Sequence, residues 1–195
     1  DITEQKLVEK KIRDYQEFIE KITNVTPSII ATYNIHTGKY SYINEAVDKL
    51  LGHPVARIME EGVAFTSSIV HPDDISHITE QNMRALEEAN NMTDVRNEPV
   101  VDFKYRMCNK DGEYRWFHTY GTIFERNEQG KVESVLNVSV DITEQEKAEQ
   151  ALFQKNLQLQ QSNTSLEEYA YVASHDLKEP LRKIATFSDS MLNSE

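Results

Sequence analysis

The sequence has few of the residues that mark secreted, membrane-spanning or nucleotide-binding chains. Cys108 is its one cysteine, so no disulfide forms within the chain. It contains no run of 18 apolar residues and no basic or apolar leader at its start. None of its six glycines lies in a phosphate-binding loop or a Gly-x-Ser-x-Gly motif. We therefore expect a soluble, cytoplasmic segment that makes no membrane contact, and we leave membrane anchoring of a longer parent protein open.

Charge restricts the choice of partner further. There are 21 Lys and Arg against 33 Asp and Glu, a formal net charge of −12 at pH 7. Because phosphate contacts need clustered cations, we expect no nucleic-acid partner. Hydrophobic residues make up 38% of the 195 residues, which is enough for one core but little for the whole chain. Part of the length is thus expected to be solvated, extended helix.

A short internal repeat indicates how the chain is organised. The sequence Asp-Ile-Thr-Glu-Gln occupies residues 1–5 and again 141–145, and each copy leads into a charged, helix-forming stretch. We interpret residues 1–25 as a connector helix that follows an earlier copy of the domain. Apolar residues at 4-3-4-3 spacing over 6–22 predict one helical stripe, and Thr26-Pro27 is expected to end it.

The middle of the chain predicts an antiparallel sheet. Alternating apolar and polar residues separated by turns give the order β-β-α-α-α-β-β-β, an α+β fold of five strands with helices on one face. The alternation places Tyr105, Trp116 and Tyr120 on the inner face. We interpret these aromatic side chains as packed core, and enclosure of a small ligand is the alternative.

Past residue 142 the sequence predicts one long helix with a heptad repeat. One row contains Leu152, Leu159 and Leu166, and the other contains Asn156 and Asn163. The alternating spacing of three and four is typical of a two-stranded coiled coil, so we expect a homodimer formed through the flanking helices. A solvated single helix is the alternative.

Two groups of polar residues are candidates for chemistry. His71, Asp73, Asp74 and His77 resemble metal ligands, but a helix start with surface carboxylates explains them, so we predict no metal site. His175 falls on the helix face opposite the apolar rows, where a partner can reach its imidazole. Its neighbour in sequence is a carboxylate, which can orient a ring proton or accept it.

Two further residues extend this second group. Glu179 lies one turn after His175 on the same helix face, and Pro180 removes a helical hydrogen bond beside it, so the helix is expected to bend or loosen there. An incidental surface histidine is the alternative, since exposed histidines on helices are common.

Two stretches of the sequence resemble known families. Residues 174–181, Ser-His-Asp-Leu-Lys-Glu-Pro-Leu, resemble the H-box of sensor histidine kinases. Residues 29–143 resemble a PAS domain of the PAC-containing kind, with Asn-Lys-Asp-Gly-Glu-Tyr-Arg-Trp at 109–116 and Asp-Ile-Thr at 141–143. The resemblance implies a PAS/PAC sensory domain at 26–143, a coiled-coil linker at 144–168 and, at 169–195, the first helix of a dimerisation and phosphoacceptor domain.

The resemblance also implies residue roles. His175 is expected to be the phosphoacceptor and Asp176 its general base, with Glu179 and Pro180 supporting the H-box. The H-box often has Thr or Asn at the position of Glu179, and the family ties that position to dephosphorylation of its partner. Asp141 and Thr143 are expected to form the signal junction at the start of the last helix, through side-chain capping bonds.

The resemblance implies that this segment is part of a protein histidine kinase. A signal at the PAS domain would control ATP-dependent phosphorylation of His175 and transfer of the phosphoryl group to an Asp of a response-regulator receiver domain. ATP and Mg²⁺ are expected in a catalytic domain outside this sequence, so the segment alone is expected to be inactive. No cofactor is predicted for it, and the PAS ligand is unknown. The alternative is a non-catalytic PAS module for dimerisation or protein interaction.

Overall fold

The computed structural model describes residues 2–91 and 101–192, which form two compact units, Asp1–Thr143 and Glu144–Glu195. In the first unit, α1 (Ile2–Val25) leads into the hairpin β1 (Ser28–Asn34) and β2 (Tyr40–Ile43). Four helices follow: α2 (Ala46–Leu51), α3 (Val55–Glu61), α4 (Val63–Ser68) and α5 (Pro72–Asn91). Strands β3 (Val101–Cys108), β4 (Tyr114–Arg126) and β5 (Val132–Asp141) complete the unit, and α6 (Thr143–Leu192) comes last.

The five strands form one antiparallel sheet in the order β2-β1-β5-β4-β3. This confirms the predicted α+β class and the five-stranded sheet. The first and last strands in sequence, β1 and β5, are neighbours, with Ser28 opposite Val140. The core lies between the inner sheet face and helices α2 to α4. Its most deeply buried members include Leu51, Ile58 and Phe117.

The structure contains a helix that the sequence analysis did not predict, α4. It is separated from α3 by Gly62, which has a φ of +73°. A Cβ at this position would lie 2.4 Å from the carbonyl oxygen of Gly38 in the β1-β2 turn. The Val63 amide donates to that same oxygen at 2.8 Å. Close approach of the two backbones therefore requires glycine at position 62.

One prediction about β4 is wrong. The inner face of β4 carries Phe117 and Thr119, which are 0% and 1% exposed. Trp116 and Tyr120 lie on the outer face, where Trp116 faces the Arg106 guanidinium at 5.1 Å and Tyr120 is 41% exposed. Of the three aromatic residues predicted to share the inner face, only Tyr105 lies there, since it pairs with Phe117.

Apolar stripes on α1 and α6 are exposed in this chain. The predicted α1 stripe is helical and ends at Val25, as expected from Thr26-Pro27. Its C-terminal end is fixed to the residue that follows β2, because Nδ2 of the Asn44 side chain donates to the Thr23 carbonyl at 2.7 Å. Within the described residues, no helix is both long enough and apolar enough to cross a membrane. The exposed apolar members of the two stripes are Val8, Ile12, Tyr15, Ile19, Ile22, Leu152, Leu159 and Leu166.

Candidate functional site

The residues of the predicted H-box lie on α6, which continues through Pro180 as one helix. The His175 side chain is exposed, as are the leucines of the heptad row on the same helix, so its heptad position stays a prediction. The side chains of Asp176 and Glu179 lie outside the described part of the structure, so their expected roles stay predictions. The Pro180 ring is exposed on the same helix.

The two predicted junction residues contact each other where β5 passes into α6. Asp141 Oδ1 accepts hydrogen bonds from the Thr143 amide at 2.9 Å and from its hydroxyl at 2.5 Å. The other carboxylate oxygen of Asp141 lies 3.0 Å from Nη1 of Arg115, on β4. Thr143 Oγ1 also accepts from the Trp116 amide at 3.0 Å. The side chain of Asp141 therefore links the last strand, its neighbouring strand and the first residue of the helix.

Removing the Thr143 hydroxyl is expected to weaken this junction. Thr143→Val deletes one donor to a carboxylate and one acceptor for a backbone amide, so we expect the free energy of unfolding to fall by about 1–2 kcal/mol. Thr143→Ser keeps the hydroxyl and is expected to stay within about 0.5 kcal/mol of the parent. Urea unfolding followed by tryptophan fluorescence measures both. Equal losses in the two variants would contradict the role of the hydroxyl.

Two of the candidate metal ligands at the start of α5, His71 and Asp74, contact side chains of the neighbouring strands. Asp74 accepts from Nε and Nη2 of Arg106 at 2.9 and 2.7 Å, and this pairing lowers the pKa of the Asp74 carboxyl. The His71 ring packs on Tyr114 with ring centroids 4.6 Å apart. His77 is exposed on α5. Among the side chains that the structure describes, no three from His, Cys, Asp or Glu are grouped as metal ligands.

A cavity of about 130 Å³ lies between the inner sheet face and the helices. Apolar side chains from α2 and β1 form part of its wall. Its polar lining consists of tyrosine, serine and threonine hydroxyls and two carboxamides. The polar and aromatic residues that line it are Tyr33, Tyr40, Thr66, Ser67, Asn82, Phe103, Tyr105, Asn137 and Ser139. A second space, of about 50 Å³, shares Tyr33, Asn82 and Asn137 with it.

The tyrosine hydroxyls of the cavity are held by neighbouring side chains. The Tyr40 hydroxyl lies 3.0 Å from Thr66 Oγ1. The Tyr105 hydroxyl accepts from Thr119 Oγ1 at 3.3 Å, and Thr119 Oγ1 lies 2.6 Å from Ser139 Oγ. Burial raises the pKa of Tyr40 and of Tyr105, so both phenols stay protonated at neutral pH.

Sequence reasoning missed most of this lining. It named Tyr105, but not Tyr33, Tyr40, Asn137 or Ser139. A usable signal is the alternation in β5, where Val135, Asn137 and Ser139 fall on the face opposite Leu136 and Val138. Polar residues on an inner sheet face indicate a cavity or a buried network, because packed cores exclude unpaired polar groups.

Comparisons with known proteins agree with this architecture. Residues 40–139 match the model of the family described as PAS fold. The chain is 25% identical over 174 residues to the methyl sulfide methyltransferase-associated sensor of Methanosarcina acetivorans, covering 86% of this chain and 16% of that protein. The chain thus spans less than a fifth of the length of that curated relative.

Two solved structures share the fold. The PAS domain of a protein from Colwellia psychrerythraea has a TM-score of 0.53 at 20% identity, over 67% of this chain and 98% of that one. A sensory box histidine kinase/response regulator from Burkholderia thailandensis E264 has a TM-score of 0.52 at 22% identity, over 69% and 92%. With the family match covering half of the sequence and a five-stranded sheet around a helix-covered cavity, the chain belongs to the PAS fold family.

Proposed function

We propose that this chain is the sensory and phosphoacceptor part of a two-component sensor histidine kinase. The observation that carries the proposal is the continuity of α6. One helix begins at Thr143, the junction residue, and extends past His175. The M. acetivorans relative, which covers most of the chain, is named a sensor, and the B. thailandensis structure is named a sensory box histidine kinase. Both names fit a sensory domain followed by an H-box helix.

The chemistry proposed for His175 is nucleophilic attack on phosphorus. A neutral ring nitrogen attacks the γ-phosphorus of Mg²⁺-ATP held by a catalytic domain elsewhere in the protein, and ADP leaves. Asp176 accepts the proton that the other ring nitrogen releases. The phosphoryl group then passes from His175 to an aspartate of a response-regulator receiver domain.

Control of this reaction is proposed to start at the junction. A change in the PAS sheet that alters the Arg115–Asp141–Thr143 contacts changes the first turn of α6, because Asp141 caps that turn. A helix with a heptad repeat can respond by shifting its register against a partner helix or by rotating about its own axis. We therefore propose that the strand-to-helix junction switches between two arrangements, and that Pro180 is the point where the helix bends most easily.

The exposed apolar stripes are proposed to be covered by a second copy of the chain. Leu152, Leu159 and Leu166 recur at intervals of seven, and their exposures are 58–62%. A two-stranded coiled coil buries such a row, and Asn156 and Asn163 in the other row fix its register. We propose a homodimer formed through the flanking helices, in a cytoplasmic setting.

Phosphorylation of the longer natural protein tests the proposal. With γ-labelled ATP and Mg²⁺, we expect acid-labile, base-stable label that is lost completely in His175→Gln. His77→Gln is the matched control, since His77 is also exposed on a helix, and it is expected to keep full label. Equal label in both variants, or none in the parent, would remove the kinase proposal. A non-catalytic PAS module for dimerisation or protein interaction would then be the function that remains.

A further inference from the structure

We infer that Arg115 is a positioning residue that couples the C-terminal end of α2 to the first turn of α6. Its Nη1 atom donates to the Leu50 carbonyl at 3.0 Å and also lies 3.0 Å from Oδ2 of Asp141. One guanidinium nitrogen thus joins a helix of the core to the carboxylate that caps α6. The inference deepens the proposed function, and it rests on that function only for what α6 controls.

The end of α2 is attached to the β3-β4 hairpin by contacts from outside the helix. The Lys110 amide donates to the Leu51 carbonyl at 2.8 Å, and His53 Nε2 lies 3.2 Å from the Cys108 carbonyl oxygen. Arg115, near the start of β4, supplies a further contact. Because the carbonyls of a last helical turn have no partner within the helix, such contacts determine where the end of α2 lies. The Leu51 side chain is 1% exposed, so a change in core packing moves this end of the helix.

The two carboxylate oxygens of Asp141 have different partners. Oδ1 accepts from the amide and the hydroxyl of Thr143, whereas Oδ2 faces Arg115. The Asp141 side chain is 16% exposed and that of Arg115 is 35% exposed, so water screens their attraction only in part. The carboxylate keeps the guanidinium directed at the Leu50 carbonyl, since an arginine released from it gains rotamer freedom. Coupling is reciprocal, so a displaced Leu50 carbonyl also disturbs the cap of α6.

Asparagine at position 141 separates the cap from the ion pair. Asp141→Asn keeps an acceptor oxygen for the cap and replaces the oxygen opposite Arg115 by an amide group that cannot accept. Amide hydrogen exchange in the chain of residues 1–195 reports on α2 through the Gly52 amide, which donates to the Asp48 carbonyl at 2.8 Å. We expect Asp141→Asn to raise the Gly52 exchange rate about fivefold, as the loss of one net hydrogen bond provides. Exchange at Thr119, in the centre of the sheet, corrects for global opening.

A second substitution tests whether the coupling passes through Arg115. In an Arg115→Gln background, Asp141→Asn is expected to change the Gly52 rate less than about 1.5-fold, because the link is already absent. Arg126→Gln is the matched control. Arg126 lies on the same strand and donates to the Ala89 carbonyl in the last turn of α5, but it pairs with the first residue of β5 and the junction follows the last. In this background Asp141→Asn is expected to keep its full effect.

Two results would overturn the inference. One is an unchanged Gly52 rate in Asp141→Asn, and the other is an equal rise in the Arg115→Gln background, which would show another route. If a double variant does not fold, the Thr143 amide in Arg115→Gln alone decides. Its exchange, corrected in the same way, is expected to rise about threefold, and an unchanged rate contradicts the coupling. These measurements do not involve phosphorylation, so their failure leaves the role of His175 untouched, and loss of the kinase proposal leaves the coupling standing.

Discussion

Replacing Phe117 by alanine is expected to lower the free energy of unfolding of the PAS unit by about 3–5 kcal/mol. Its ring is 0% exposed and belongs to the central cluster between sheet and helices. Truncation removes the transfer free energy of the ring and leaves a void that the neighbouring strands cannot close. Urea unfolding followed by the fluorescence of Trp116, the one tryptophan, measures the change in this unit alone.

Phe124→Ala is the matched control on the same strand. Phe124 is 53% exposed, so its truncation is expected to cost about 1 kcal/mol or less. The pair of variants tests which face of β4 is buried. If both variants lose the same free energy, or if Phe124→Ala loses more, the assignment of faces is wrong.

Asp74→Asn is expected to lower the free energy of unfolding by about 2 kcal/mol at pH 7. Its carboxylate accepts two side-chain hydrogen bonds from Arg106 and one from the Arg106 amide at 2.9 Å. These bonds attach the first turn of α5 to β3. The Asp74 side chain is 16% exposed and that of Arg106 is 25% exposed. An asparagine amide keeps one acceptor and loses the charge, so part of the pairing is lost.

The contribution of Asp74 depends on pH in a definite direction. Hydrogen bonding to Arg106 lowers the pKa of Asp74 in the folded state below 3.8, the ordinary value that the unfolded chain has. The unfolded carboxyl therefore binds a proton first as pH falls, and the stabilisation is present above about pH 4. The difference between parent and Asp74→Asn is expected to shrink as pH falls from 6 to 3.

Asp73→Asn provides the control for this ion pair. The Asp73 carboxylate is 77% exposed and 3.9 Å from Arg106, so water screens the attraction. We expect a loss below about 0.5 kcal/mol and little change in the pH profile. A loss at Asp73 as large as that at Asp74 would show that general charge, and not the bidentate bond, stabilises the start of α5.

Much of the fold could be predicted from local signals. Thr26-Pro27 ends α1 and Pro72 begins α5, because proline lacks the amide proton that a helix interior needs. Turns with Asn and Gly separate the last three strands at the expected places. Helix α4 has six residues with Thr and two Ser, which are weak helix formers, and its existence depends on the packing of Phe65 into the core.

The faces of β4 could not be predicted because both carry aromatic side chains. The even-numbered positions of this strand carry Trp116, Tyr120 and Phe124, and Phe117 falls on an odd-numbered position. The alternation rule assigns the positions with more aromatic residues to the buried face. The deciding factor is the pairing with β3 and β5, which puts Phe117 opposite Tyr105. Cross-strand register is a long-range property, so one strand read alone does not contain it.

The residues of the candidate site also differ in how far the sequence alone could predict them. Residues at a strand-to-helix boundary, such as Asp141 and Thr143, follow from capping rules that involve neighbours in sequence. The cavity depends on Tyr33, Tyr105 and Asn137, which come from three separate strands. The distance between them in sequence explains why packed core was the simpler interpretation of the aromatic residues.

The adjacency of β1 and β5 makes the PAS unit easy to insert or exchange. Ser28 at the start of β1 pairs with Val140 near the end of β5, so the chain enters and leaves the sheet side by side. A domain with this arrangement can be added to a longer chain, or replaced by a relative, while the flanking segments keep their separation. The repeat of Asp-Ile-Thr-Glu-Gln at 1–5 and 141–145 provides a natural splice point for such exchanges, and chimeras joined there preserve the Asp141–Thr143 cap.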